Sequence, residues 1–279
     1  MTKDKSEPYF RLWEGNRVRV YLELAKRSFR QVLTYRGATL AGLFTNSIFG
    51  VIIASIFLGF YASSGSGDVR GWSAQQTLTF TWINQSLLMV VYMWGWWEIA
   101  RSIQTGSIVM DFLKPVNFLS YWMSRDLGRA AAHFLVRGLP TFLIGNLLYD
   151  LLPPRSFANG AAFLLSIVFA VTVSFTLRFL LNISGFWVID HRGINYVAMA
   201  MLNLLSGLLI PLAFFPDPVL TIVNLLPCRA ILMIPNEIYL GQIDIWEGLG
   251  VQIFWTLALI AISAWVLSLG ERKVVVQRG

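Results

Sequence analysis

Charge is what this sequence has least of. Only 13% of its 279 residues are Asp, Glu, Lys or Arg, about half the share of soluble domains, while 56% are hydrophobic. That argues against an ordinary soluble fold and makes the chain an integral membrane protein. Cysteine is almost missing too: Cys228 stands alone, so no internal disulfide forms and no redox compartment is encoded. The two histidines, His133 and His191, lie far apart, with no carboxylate or cysteine at ligand spacing. A metal site or histidine catalysis is therefore not expected. No stretch reads GxxxxGK[ST], so the chain does not itself cradle nucleotide phosphates. Carboxylates are nearly absent from the apolar runs, whereas a proton-coupled transporter needs one near mid-bilayer. The polar start MTKDKSEP lacks a short apolar core with a small-residue cleavage site, and no cleavable signal peptide is expected.

Apolar sequence is what the chain has in excess. A run of about 20 such residues, rising ~1.5 Å per residue, crosses a ~30 Å hydrocarbon core. Six runs qualify: residues 38–61, 78–100, 131–152, 160–188, 195–215 and 249–269. The fourth is longer than needed and must tilt or protrude. Between the second and third lies RSIQTGSIVMDFLKPVNFLSYWMSRDLGR, too charged to span. After the fifth come two short apolar pieces, residues 219–226 and 230–234, fenced by Pro216, Pro218, Pro227 and Pro235. Pieces that short read as re-entrant or interfacial helices broken by their prolines, tolerated only where other spans or a watery cavity cover them.

Ahead of the first run, Val18, Tyr21, Leu22, Ala25, Phe29, Val32 and Leu33 form a helical stripe, opposite Arg19, Glu23, Lys26, Arg27 and Arg30. A basic amphipathic helix beside a span predicts an element lying in the plane of the membrane surface. The fold class expected is therefore all-α integral membrane: six transmembrane helices, an amphipathic interfacial helix before them, and re-entrant short helices before the last. Residues 1–37 form the tail and amphipathic helix, 38–270 the membrane domain with a cytoplasmic region at 101–130 and an outer segment at 216–240, and 271–279 a second tail.

Lysine and arginine divide unevenly across this topology. Seventeen fall on the side that holds both ends and three (Arg70, Arg155, Arg229) on the other, with Arg137 and Arg178 near helix ends on the first side. The positive-inside rule then makes both ends cytoplasmic, and the net charge of +7 needs no nucleic acid to explain it. Glu98 and Arg178 lie near the cytoplasmic ends of their spans and are candidates for a structural or gating pair, with Arg101 an alternative partner for Glu98. The remaining polar residues within spans are mild: Asn46 and Ser47; Thr81, Asn84, Gln85 and Ser86; Asn182; Asn203 and Ser206; Gln252. Such groups most often join helices, at about 0.6 kcal/mol per contact. The sharper reading makes Asn84, Gln85, Met89 and Met93 of the second span, with Asn203 and Ser206 of the fifth, the lining of a path for large amphiphilic cargo.

Four features together resemble the permease half of a type-2 ABC exporter. They are the basic helix before the first span, the cytoplasmic stretch between the second and third, the fifth span ending SGLLIPLAFFP, and the broken LLPCRAILMIPNEIYLGQ. The segment IQTGSIVMDFLKPVNF is similar to an isoleucine–glycine, then leucine–proline–valine pattern of short six-span permeases. The resemblance implies a dimer with a second, identical or paralogous permease subunit, and two cytoplasmic ABC ATPase subunits that carry ATP and magnesium. No cofactor is then bound by this chain, and it is not itself an enzyme. The resemblance also implies a coupling helix over residues 102–112, with Ser102, Ile103, Gly106, Ile108, Asp111, Phe112 and Leu113 facing the ATPase, Gly106 allowing a turn and Pro115 ending the helix. The path would lie at the subunit interface, capped outside by residues 216–240, in the plasma or inner membrane. The rival readings are a membrane-embedded lipid-modifying enzyme, for which only Asp190-His191-Arg192 offers a start, and a non-transporting assembly subunit.

Overall fold

The computed structural model describes residues 17–65, 67–92, 96–188 and 192–276. Helix α1 (Arg17–Thr34) is separated by Tyr35 from α2 (Arg36–Ser64). At 29 residues, α2 is about 43 Å long, more than a bilayer core needs, and it stops at Gly65 in the left-handed conformation. The loop that follows contains a small antiparallel hairpin, β1 (Asp68–Val69) and β2 (Trp72–Ser73). Arg70 and Gly71 both have positive φ (49° and 81°), as a two-residue hairpin loop requires.

Ser73 starts α3 (Ala74–Val91) with a reciprocal cap: its hydroxyl accepts the Gln76 N–H, and the Gln76 side chain accepts its own. Most of α3 is buried, polar Thr77, Thr79, Thr81, Asn84 and Gln85 included, so it is the central post of the bundle. It ends at Tyr92, again left-handed. The run expected to span as far as residue 100 therefore stops at Val91, and its last residues open a separate helix, α4 (Glu98–Gln104), followed by α5 (Ile108–Phe112).

The next helix is continuous over residues 118–149: α6 (Phe118–His133), a π turn (Phe134–Gly138) and α7 (Leu139–Tyr149). Pro140 has no N–H to give, and the wide turn just before it absorbs the missing bond. The third span was expected to begin at residue 131; the helix instead reaches back to Phe118. The charges that argued against a span there, Asp126 and Arg129 above all, turn inward and pair with each other.

Helix α1 packs along α6, its most extensive partner. Tyr21, Ala25, Phe29 and Val32 lie half-buried on this side, while Val18, Leu22 and Leu33 of the expected stripe stay exposed. The Tyr21 hydroxyl accepts the Asn117 N–H at 3.2 Å. The approach is so close that a Cβ at Gly128 would overlap the Ala25 carbonyl oxygen. Gly128→Val is therefore expected to detach α1. Limited trypsin digestion at Lys26 and Arg27 should speed up severalfold, whereas an unchanged digestion pattern would mean that α1 is held by something else.

Helix α8 (Phe157–Ile183) is capped by the Ser156 side chain and runs on into a 3₁₀ turn, Ser184–Phe186. Helix α9 (Arg192–Leu205) has 14 residues, about 21 Å, and is too short to cross alone. The fifth run was expected to span residues 195–215. It breaks because Gly207 takes φ 82° and Pro211 follows it. Two short helices come next, α10 (Asp217–Asn224) and α11 (Met233–Leu240). Pro235 does not break α11, against expectation. It sits in the first turn, where no intrahelical partner awaits its missing N–H. The last helix, α12 (Ile245–Val276), has 32 residues.

Among the described residues, four helices are long and apolar enough to cross a membrane: Arg36–Ser64, Phe118–Tyr149, Phe157–Phe186 and Ile245–Lys273. The all-α membrane class holds, and of the six spans expected these four reach spanning length among the described residues, while α3 and α9 are shorter pieces. The main core gathers Phe80, Ile83 and Leu87 of α3, Val171 of α8, and Met233, Ile234 and Ile238 of α11. So α11, flanked by irregular chain, is buried at the heart of one end of the bundle.

Candidate functional site

At the end of the bundle where α3 and α8 finish, α4 and α5 meet in an angle at Thr105, Gly106 and Ser107, with Gly106 at φ 73°. The single helix expected over residues 102–112 is thus two short ones. Asn182 of α8 holds the start of α4 from outside: its Oδ1 accepts the Ala100 N–H at 3.1 Å, and its Nδ2 donates to the Trp96 carbonyl at 2.7 Å. Ile99 and Ile108 are buried in a second core with Phe118, Phe179 and Ile183. Phe112 meets Phe118 edge-on, ring centres 5.1 Å apart, and Ile103 rests near Gly185.

The angle is therefore bolted to the base of α8 and α6, and its outer side is exposed among the described residues. Of the seven expected contact residues, Ile108 and Phe112 face inward and Ser102 and Ile103 are half-buried; Gly106 makes the turn. Asp111 is tied locally to Lys114 at 2.6 Å, and that hydrogen bond holds the lysine amine above its ordinary range. Leu113 is 72% exposed, and so, at 67%, is Met110, which sequence reasoning missed. The signal was there. Once the chain turns at Gly106, positions 108 and 112 share one helical face, and 110 and 113 another.

The expected pair of Glu98 with Arg178 does not form. Arg178, 1% exposed, places Nη2 2.8 Å from Asp126 Oδ2, and Glu98 accepts instead from Arg125 at 3.3 Å. Asp126 is shared: Arg129 donates through Nε at 2.9 Å, and its two other nitrogens reach the Met89 and Val90 carbonyls that end α3. The Tyr92 ring lies under both guanidinium groups, 4.6 Å from Arg129 and 5.4 Å from Arg178. One carboxylate and two arginines thereby lock α3, α6 and α8 together. Asp126 was missed because it was read as part of a charged cytoplasmic stretch.

The residues expected to line a path divide sharply. Asn84 is 1% exposed, and its amide donates to the Gly207 and Leu208 carbonyls at 2.8 and 3.2 Å, just where α9 has come apart. Its Oδ1 accepts from Asn236 of α11 at 2.8 Å. Ser206 joins the same knot, its carbonyl accepting the Met233 N–H at 3.1 Å. Gln85 is buried, and Asn203 half-buried. Met89 borders a cavity of about 420 Å³, and Met93 lies outside the described residues. The structure thus brings Asn84 and Ser206 together as a clamp on broken backbone, where each carbonyl left unpaired in an apolar interior is expensive. Asn84→Ala is expected to cost about 1–3 kcal/mol, read as a clear fall in the thermal midpoint in detergent. An unshifted midpoint would remove the clamp.

Among the described residues no three His, Cys, Asp or Glu side chains gather to hold a metal ion. The family model that matches the sequence, over residues 49–277, is that of the ABC-2 family transporter protein. No curated protein and no solved structure matches the chain.

Proposed function

The chain belongs to the ABC-2 transporter family, and from that membership we propose that it is one permease half of an ATP-driven exporter. Energy would come from separate ATPase subunits carrying ATP and magnesium, since this sequence has no phosphate-binding loop. The observation that carries the reading is the angle between α4 and α5. It projects two exposed apolar side chains, Met110 and Leu113, from a base packed onto α6 and α8. A partner that grips that angle pushes on two long helices at once. ATP binding shifts the assembly only by as much as the gripped and released states differ in free energy.

A second permease subunit, identical or paralogous, would complete the path. The exposed apolar face of α9 (Tyr196, Val197, Met201 and Leu204) supports pairing there. With both ends cytoplasmic, the angle stands on the ATP side, and the segment running through α10 and α11 caps the outer mouth. In the conformation described, Asn84 and Ser206 are spent on backbone, so their contact with cargo would require the clamp to open. The cargo class is amphiphilic or hydrophobic, in keeping with adaptable Met89 and the scarcity of charge. The test is purification from native membranes in mild detergent. Recovery of an ATP-binding subunit in a fixed ratio, with ATP hydrolysis stimulated by cargo, is the expected result. A chain that purifies alone in several detergents, with no ATPase at its inner face, would return the assembly-subunit and lipid-enzyme readings.

A further inference from the structure

The cavity of about 420 Å³ opens between α1, the first turns of α2, the end of α3 and α6. Its walls include Val32 and Tyr35, then Met89, Tyr92, Trp96 and Trp122, with Arg125, Arg129 and Arg137 among them. The charges do not balance. Glu98 answers Arg125, and Asp126 is already shared by Arg129 and Arg178. Arg137 answers to no carboxylate among the described residues.

Arg137 was expected near a helix end. Because the helix begins at Phe118, it stands nineteen residues in, about 28 Å along, and only 8% exposed. Among the described residues its one hydrogen bond is long, 3.4 Å, to Asn46 Oδ1. The Asn46 amide is turned that way because its Nδ2 is held by the Gln85 carbonyl at 3.1 Å. Among the described residues Arg137 Nε has no partner, nor has Nδ1 of His133 one helical turn away. An unpaired arginine at membrane depth is costly, and an arrangement that keeps one points to a ligand that neutralises it.

We propose that this cavity binds the phosphate headgroup of an anionic membrane lipid, with Arg137 as its charge partner. The guanidinium offers a fork of donors suited to phosphate oxygens. Tyr35, Tyr92, Trp96 and Trp122 have the amphipathic character of side chains that sit where headgroup meets acyl chain. The exposed apolar edge of α1 (Leu22, Leu33) gives the acyl chains a way in from the adjacent leaflet. A soluble anion would use the guanidinium but not the aromatic wall, and a zwitterionic lipid would leave the surplus charge uncompensated. The site is independent of the exporter reading, since it needs only a membrane around the chain.

The test uses the full chain in nanodiscs of phosphatidylcholine with a minor share of phosphatidylglycerol, and native mass spectrometry of the lipid retained after release. Preferential retention of phosphatidylglycerol is expected, falling about ten-fold in Arg137→Gln and recovering partly in Arg137→Lys. Gln31→Glu, on the exposed α1 wall of the cavity, should weaken retention severalfold without touching the core, which keeps the test open if Arg137→Gln fails to fold. Arg155→Gln, exposed at the opposite end, should change nothing. Equal retention of both lipids, or retention indifferent to the Arg137 and Gln31 variants, would overturn the site. Displacement of the lipid by excess inorganic phosphate would overturn the lipid assignment.

Discussion

Replacing Met110 and Leu113 together by glutamate is expected to abolish association with the ATPase and coupled transport while the bundle stays folded. Both side chains are mostly exposed, so the change removes little internal contact. A docking surface that buries them, however, would have to desolvate two carboxylates. Each unpaired buried charge costs several kcal/mol, and a loss of about 3 kcal/mol already weakens binding by two orders of magnitude. Phe112→Ala is a poorer probe of the same surface. Its ring is spent on Phe118, so a defect there would mix local collapse with lost docking. Asp111→Arg is likewise compromised by the local pair with Lys114. The measurement is co-purification of the ATP-binding subunit with wild-type and doubly substituted chains, alongside thermal unfolding. Undiminished co-purification at an unchanged midpoint would take the angle out of the coupling mechanism.

What was legible in the sequence follows the range over which each signal acts. The runs at 38–61, 160–188 and 249–269 lie within or close to helices 36–64, 157–186 and 245–273, because a long apolar run carries its own evidence. Boundaries set by pairing across the bundle were not legible. Asp126 looks too polar for a span until Arg178, 52 positions on, is placed against it. Asn84 looks like a path residue until Gly207 and Asn236 meet it from 123 and 152 positions away. The broken character of residues 216–240 was visible in its prolines, but the break in α9 was not, since Gly207 is unremarkable without its φ angle. At the α4–α5 angle, local pattern pointed to the right segment. It did not rank the residues, because which face is outward depends on what α8 and α6 cover. Arg137 was misjudged for the same reason as Asp126: one misplaced helix start moved both.

The shared carboxylate is where the largest loss of stability is expected. Asp126→Asn keeps the shape of the side chain and removes the charge that the buried Arg178 and the part-buried Arg129 both pair with. Breaking one buried pair in this way typically costs about 3–5 kcal/mol, because the partner is left buried and uncompensated, and here there are two partners. Arg129 would keep the α3 carbonyls and the Tyr92 ring, but Arg178, wholly enclosed, has little else: Ser174 Oγ at 3.3 Å and aromatic faces. The variant should therefore fold poorly, with its thermal midpoint far below that of the wild type. Arg178→Met alone removes one cation and leaves Asp126 its tight contact with Arg129, so a smaller loss is expected. The double variant Asp126→Asn with Arg178→Met distinguishes the explanations. If the cost of Asp126→Asn is an orphaned cation, adding Arg178→Met recovers a large part of the midpoint, because two similar-sized, less polar groups replace the pair. If the losses simply add, Asp126 acts through Arg129 and the end of α3, and the lock between α6 and α8 contributes little.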